Sequence, residues 1–105
     1  MKLMIPVNLP AKEQLINSLK GNNIAFAAIF GSRVKGLAKP DSDYDFLVEF
    51  NPAIKSTLYD IVEVKDNLEQ ILSSKVDVIT TGGLNHRLKD EILNSMQVLY
   101  DERKR

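Results

Sequence analysis

The run Ile24–Phe30, IAFAAIF, is apolar at every position and is cut off by Gly31. It is far shorter than the roughly 20 apolar residues a membrane helix requires. Side chains of a strand alternate between two faces, so an unbroken apolar run needs cover on both. This segment therefore predicts a short strand buried on both faces, within an α/β class. The cover has to come from little chain. With 105 residues there is room for one hydrophobic core, and a single domain over residues 1–105 is expected.

The remaining segments supply that cover. Ala11–Lys20 carries Leu15, Ile16 and Leu19 at helical spacing, between Pro10 at the entrance and Gly21 at the exit. Asp43–Phe50 alternates, with Tyr44, Phe46, Val48 and Phe50 on one face and Asp43, Asp45, Leu47 and Glu49 on the other. Thr57-Leu58-Tyr59-Asp60 has the form of a capping box with Asp in place of Glu, opening a helix that reaches about Ser73. Its apolar stripe is expected to be Leu58, Ile61, Val62, Leu68, Ile71 and Leu72. Val76–Thr80 is a short β-branched strand ended by Gly82-Gly83. A third helix starts near Asn85 with Leu88, Ile92 and Met96 at every fourth position; Gln97–Tyr100 reads as a last strand and Asp101–Arg105 as a frayed charged tail. The whole predicts a small mixed β-sheet flanked by helices. The segment from Gly31 to Ser42 is expected to be a loop with a helix starting at Ser32.

Composition removes several function classes. Lys plus Arg and Asp plus Glu number 14 each, so there is no broad basic field and direct nucleic-acid binding is not expected. The absence of cysteine excludes disulfides, zinc-thiolate sites and thiol nucleophiles. Met1–Leu9 lacks the apolar core of a leader, which makes the cytoplasm the default location, with no membrane association.

The chemistry is announced by aspartates that break the strand rules. Asp43 and Asp45 share one face of their strand, about 6 to 7 Å apart, and repel unless a cation lies between them. Carboxylate oxygens are hard ligands suited to Mg²⁺, with Mn²⁺ as a substitute, and a chain with one histidine and no cysteine is a poor zinc binder. Upstream, Gly31, Ser32, Arg33 and Lys35 follow a buried strand where backbone NH groups and basic side chains favour a triphosphate. Asp77 interrupts the third strand. If that strand adjoins the Asp43 strand, three carboxylates converge, and two metal ions roughly 3.5 to 4 Å apart would serve phosphoryl or nucleotidyl transfer. In that arrangement Asp77 lies nearest the nucleophile, as its candidate base.

Plainer readings exist for each. Pro40-Asp41-Ser42-Asp43 is good turn sequence, Arg33 and Lys35 suit any exposed loop, and Asp77 would protect an edge strand from aggregation. It is their co-occurrence that favours chemistry. His86 and Tyr59 are given no functional role.

The Gly31-Ser32 pair, the spaced Asp43-Tyr44-Asp45 and the later Asp77 resemble the signature of the polymerase-beta-type nucleotidyltransferase superfamily. FGSRVKGLAKPDSDYDFLVEF followed by SKVDVIT resembles its minimal nucleotidyltransferases, with likeness from about Leu15 to Tyr100. That resemblance implies the minimal nucleotidyltransferase fold, nucleotide phosphates on Ser32 and Arg33, metal on Asp43 and Asp45, and Asp77 completing a triad. It also implies a partner, a small helical HEPN protein that is a toxic ribonuclease, neutralised when AMP is moved from ATP to one of its tyrosines. The protein would then be the antitoxin of a type VII toxin-antitoxin pair, in homo- or hetero-oligomers. Lys35 stands where the family commonly has arginine and offers a point charge in place of a planar fork. The competing class is a non-catalytic module that neutralises its partner by contact; transfer to a small molecule is weaker, because no acceptor domain is evident.

Overall fold

The computed structural model describes Leu9, residues 11–31 and residues 43–103. In chain order the elements are helix α1 (Lys12–Gly21), strands β1 (Ile24–Phe30) and β2 (Tyr44–Phe50), helix α2 (Leu58–Leu72), strand β3 (Val76–Thr80), helix α3 (His86–Ser95) and strand β4 (Gln97–Asp101). A 3-10 turn, Thr81–Gly83, lies between β3 and α3. The proposed helix from Ser32, with Arg33 and Lys35, lies outside the described residues.

The sheet runs in the order β3-β2-β1-β4. β1 is antiparallel to both β2 and β4, and β3 is parallel to β2. The sheet is therefore mixed, and α2 is the crossover that a parallel pair needs. β1 lies between β2 and β4 and is buried on both faces, the latter as its composition requires. Its Ala27 and Ile29 join Tyr44, Phe46, Val48 and Val76 under α1 and α2, where Leu15, Leu19, Val64, Leu68 and Leu72 are buried. On the opposite face Phe26, Ala28 and Leu47 pack against Ile92 of α3.

The helix α2 begins as its sequence signals. The Asp60 carboxylate accepts hydrogen bonds from the Thr57 backbone NH at 2.6 Å and the Thr57 hydroxyl at 3.2 Å. Its inward stripe differs from the expected one. Val64, Leu68 and Leu72 are buried, while Leu58 and Val62 are 79% and 54% exposed. The apolar residues of this helix form two stripes, and only the one whose rotation meets the sheet is covered.

The C-terminal segment also departs from expectation. Asp101 belongs to β4, and the Glu102 backbone NH donates to the Ala25 carbonyl at 2.7 Å. The Arg103 guanidinium pairs with Asp101 at 2.8 Å and Glu49 at 3.6 Å, and lies 4.0 Å from the centre of the Phe26 ring. Residues 101–103 are thus held to the sheet by pairing and stacking, because a charged side chain can cover an apolar ring with its planar head.

Leu68→Ala is expected to cost about 2–5 kcal/mol in urea unfolding, and Leu58→Ala less than about 0.5 kcal/mol. Equal losses would show that both stripes are covered.

Candidate functional site

Strand register decides which charges meet. Asp45 of β2 sits beside Asp77 of parallel β3, and on its other side opposite Phe30 of β1. Leu47 and Ile79, two positions further along the same strands, both belong to the core under α3. By the two-residue period Asp45 and Asp77 therefore lie on the α3 face, at the beginning of β2 and β3. Val76 and Val78 take the other face with Tyr44 and Phe46, so the aromatic residues flanking Asp45 serve packing.

Asp45 is half-buried, and Asp43 and Asp77 are exposed. Asp43 precedes the strand. Burial pushes the Asp45 carboxyl above its usual range; the negative charges of Asp77 and Asp43 push it further, as does a side-chain hydrogen bond with Asp77. Two ionised carboxylates cannot bond to each other, so that contact requires a proton between them. A divalent cation could replace the proton and remove the same repulsion.

Gly31 ends β1 with φ 84°. A Cβ at this position would overlap the Asp45 carboxylate and lie 3.2 Å from its Cγ. Only glycine combines that backbone conformation with so close an approach. Gly31, which precedes Ser32, Arg33 and Lys35 in the sequence, thereby lies against the Asp45 carboxylate. Those three residues lie outside the described residues.

Among the described residues no group of three or more His, Asp or Glu side chains is gathered closely enough to hold a metal ion. The expected convergence of three carboxylates is not found among the described residues: register sets Asp45 beside Asp77, while Asp43, which precedes the strand, acts on Asp45 only through its charge. The donors still suit a hard divalent ion, since they are anionic oxygens whose mutual repulsion already shows at Asp45.

Sequence reasoning passed over a cavity of about 180 Å³ beside this pair, between the sheet and α3. Phe30, Ile79, Leu88 and Ile92 line it, with Gly31 shared between cavity and carboxylates. The recurrence of Leu88 and Ile92 at helical spacing marks one face of the helix but not a cavity, and Leu88 is 48% exposed. A larger groove of about 490 Å³ lies at the other end of β2 and β3, lined by Glu49, Leu58, Ile61 and Thr80, and contains none of the aspartates. His86 is exposed at the start of α3, and Tyr59 is exposed on α2.

Residues 13–105 match the family model described as polymerase beta, nucleotidyltransferase. The chain belongs to that family. A Methanocaldococcus jannaschii relative whose name includes protein adenylyltransferase is 40% identical over 83 residues, covering 79% of this chain and 87% of the relative. Protein adenylyltransferase MntA of Thermococcus cleftensis is 34% identical over 68 residues, 65% of this chain and 67% of the relative. The fold is shared with a crystallised toxin-antitoxin bound to AMP-PNP, at TM-score 0.74 and 22% identity, covering 87% of this chain and 73% of that one. It is also shared with the complex of MNT antitoxin and tri-AMPylated HEPN toxin from Shewanella oneidensis, at TM-score 0.65 and 20% identity, covering 86% and 69%. In this nucleotidyltransferase Gly31 lies against Asp45, and Asp45 stands in register with Asp77.

Gly31→Ala is expected to destabilise the protein by about 1–2 kcal/mol or more in urea, from the left-handed backbone and the overlap with Asp45. The pH dependence has a definite sign. Asp45 binds its proton more tightly folded than unfolded, so its contribution is fullest below the ordinary value of 3.8 and is lost as pH rises through the raised folded value. Without divalent ions, Asp45→Asn should leave a shallower fall in stability across that window, measured by urea midpoints; an unchanged slope would assign the fall to other groups.

Proposed function

We propose that this nucleotidyltransferase transfers AMP from ATP to a hydroxyl group, a tyrosine on a small helical HEPN partner, and thereby acts as its antitoxin. The observation that carries the reading is the in-register pairing of Asp45 with Asp77 against the Gly31 backbone. The protein adenylyltransferase names of its relatives and the AMPylated HEPN toxin in a complex of the same fold support the choice of AMP and of partner.

In this scheme Gly31, Ser32, Arg33 and Lys35 bind the triphosphate, the first two through backbone NH groups and the Ser32 hydroxyl, the others through positive charge. Asp43, Asp45 and Asp77 hold Mg²⁺, as one or two ions, with Mn²⁺ able to substitute. Bound there, the ion supplies charge neutralisation at the phosphates and at the departing pyrophosphate. The acceptor oxygen attacks the α-phosphorus, a new phosphorus–oxygen bond forms, and the bond to the β-phosphate bridging oxygen breaks. Asp77, at the exposed edge of the sheet, takes the hydroxyl proton. Asp45, half-buried and in register with Asp77, would be among the residues that hold the cation.

The test uses purified protein, ATP labelled at the α-phosphate, Mg²⁺ and the HEPN protein encoded beside it. Label should appear on the partner, and Asp45→Asn should lower transfer by at least about 100-fold while the variant stays folded. No transfer by the wild type would overturn the enzymatic reading. Full neutralisation of the partner by an Asp43→Asn/Asp45→Asn protein would favour the contact-only alternative.

A further inference from the structure

We propose that Glu69 of α2 is a positioning residue for Asp77, holding the start of β3 so that Asp77 stands beside Asp45; the inference rests on the nucleotidyl-transfer reading above. The Glu69 carboxylate accepts a hydrogen bond from the Val76 backbone NH at 3.1 Å, seven residues further along the chain. Val76 immediately precedes Asp77. The bond spans the turn at Ser73, Ser74 and Lys75 and ties the last turn of α2 to the first residue of β3.

Register shows which side of β3 the bond takes. Val76 is the partner of Tyr44 in the parallel ladder, and the Tyr44 NH donates to the Lys75 carbonyl at 3.0 Å. In such a ladder the bonds of Tyr44 go to the residues on either side of Val76, so the Val76 NH is turned away from β2, to the outer side of the strand. β3 stands at the end of the sheet order, with β2 as its neighbour. The ladder therefore holds the inner side of β3 and Glu69 holds the outer side, at the end of the strand that carries Asp77.

The surroundings give the bond its consequence. Val76 is 1% exposed, so its NH cannot turn to bulk water, and without Glu69 the start of β3 must shift to solvate it. Asp45 and Asp77 repel each other in the same register, at the end of a short ladder where fraying begins. A second anchor, to α2, limits that displacement. The anchor is itself fixed, because Leu68 and Leu72 on the same turn of α2 are buried in the core. Helix stability does not account for Glu69, since the dipole disfavours a negative charge in the last turn and no basic side chain accompanies it there.

The experiment uses the full chain as wild type, Glu69→Ala and Glu69→Gln, the last keeping an oxygen that can accept the Val76 NH. Amide hydrogen exchange, followed by NMR without divalent ions, reads the strand through the Tyr44 amide, whose bond to Lys75 opens if β3 shifts. The Glu102 amide, bonded to Ala25 at the opposite edge of the sheet, is the control. AMP transfer from ATP to the HEPN partner reads the site. Glu69→Ala should exchange the Tyr44 amide at least about tenfold faster with Glu102 unchanged. It should also lower kcat by about 10- to 100-fold with the KM for ATP unchanged, the loss that a small misplacement of a reacting group brings. Glu69→Gln should stay within about threefold of wild type in both, since a neutral acceptor weakens the bond without removing it. Wild-type kcat in Glu69→Ala overturns the proposal, leaving Glu69 a structural tie and nucleotidyl transfer standing. An unchanged Tyr44 amide, or equal acceleration of both amides, overturns it by removing the local shift. A loss of kcat in Glu69→Gln as large as in Glu69→Ala does so by assigning the effect to charge. Absence of AMP transfer by the wild type would remove the nucleotidyl-transfer reading and this role with it.

Discussion

Everything in this molecule is arranged around the burial of β1 on both faces. Ala27 and Ile29 need α1 and α2, and Phe26 and Ala28 need α3. In the sheet β2 and β4 pair with it on either side. Once β1 is central, β2 has one remaining edge, and the crossover through α2 returns β3 to it in parallel. Apolar cover thereby settles where the charged residues can go. They collect at strand ends, where the sheet gives way to loops.

At one such end the fold tolerates an arrangement it would avoid elsewhere. Asp45 and Asp77 are held side by side by backbone register, and neither can move away without breaking the ladder. Burial first, and then the negative charges of Asp77 and Asp43, raise the affinity of Asp45 for protons. Like charges fixed together by a rigid scaffold form a site that is unfavourable alone and relieved by a cation or proton, the usual relation between a strained polar cluster and its ligand. Gly31 contributes by absence. Its missing Cβ leaves the space that the Asp45 carboxylate occupies.

Much of this was legible from residues in order. The limits of β1 and β3 and the Thr57–Asp60 helix start follow from local patterns that depend on few neighbours. The two faces of β2 were also evident, since alternation fixes which residues travel together. Other features depend on rotation or on distant partners. Leu58, Ile61, Val62, Val64, Leu68 and Leu72 permit more than one helical stripe, and only the sheet selects Val64, Leu68 and Leu72. Asp101 and Arg103 read as a loose tail until Glu49 and the ring of Phe26 are brought beneath them. The cavity beside Leu88 was hidden for a related reason, because its walls come from β1, β3 and α3.

The sequence by itself determined that this chain builds a helix-covered sheet around Ile24–Phe30, and that its unusual carboxylates are Asp43, Asp45 and Asp77. These are consequences of side-chain type and period, which are properties of the chain before it folds. Only the tertiary structure decided that Asp45 meets Asp77, that Asp43 acts from outside the strand, and that Gly31 closes against the pair. The physical reason is register. Period two says which face a side chain occupies, but which residue stands beside it on the next strand is settled when the strands slide into the alignment that buries both faces of β1.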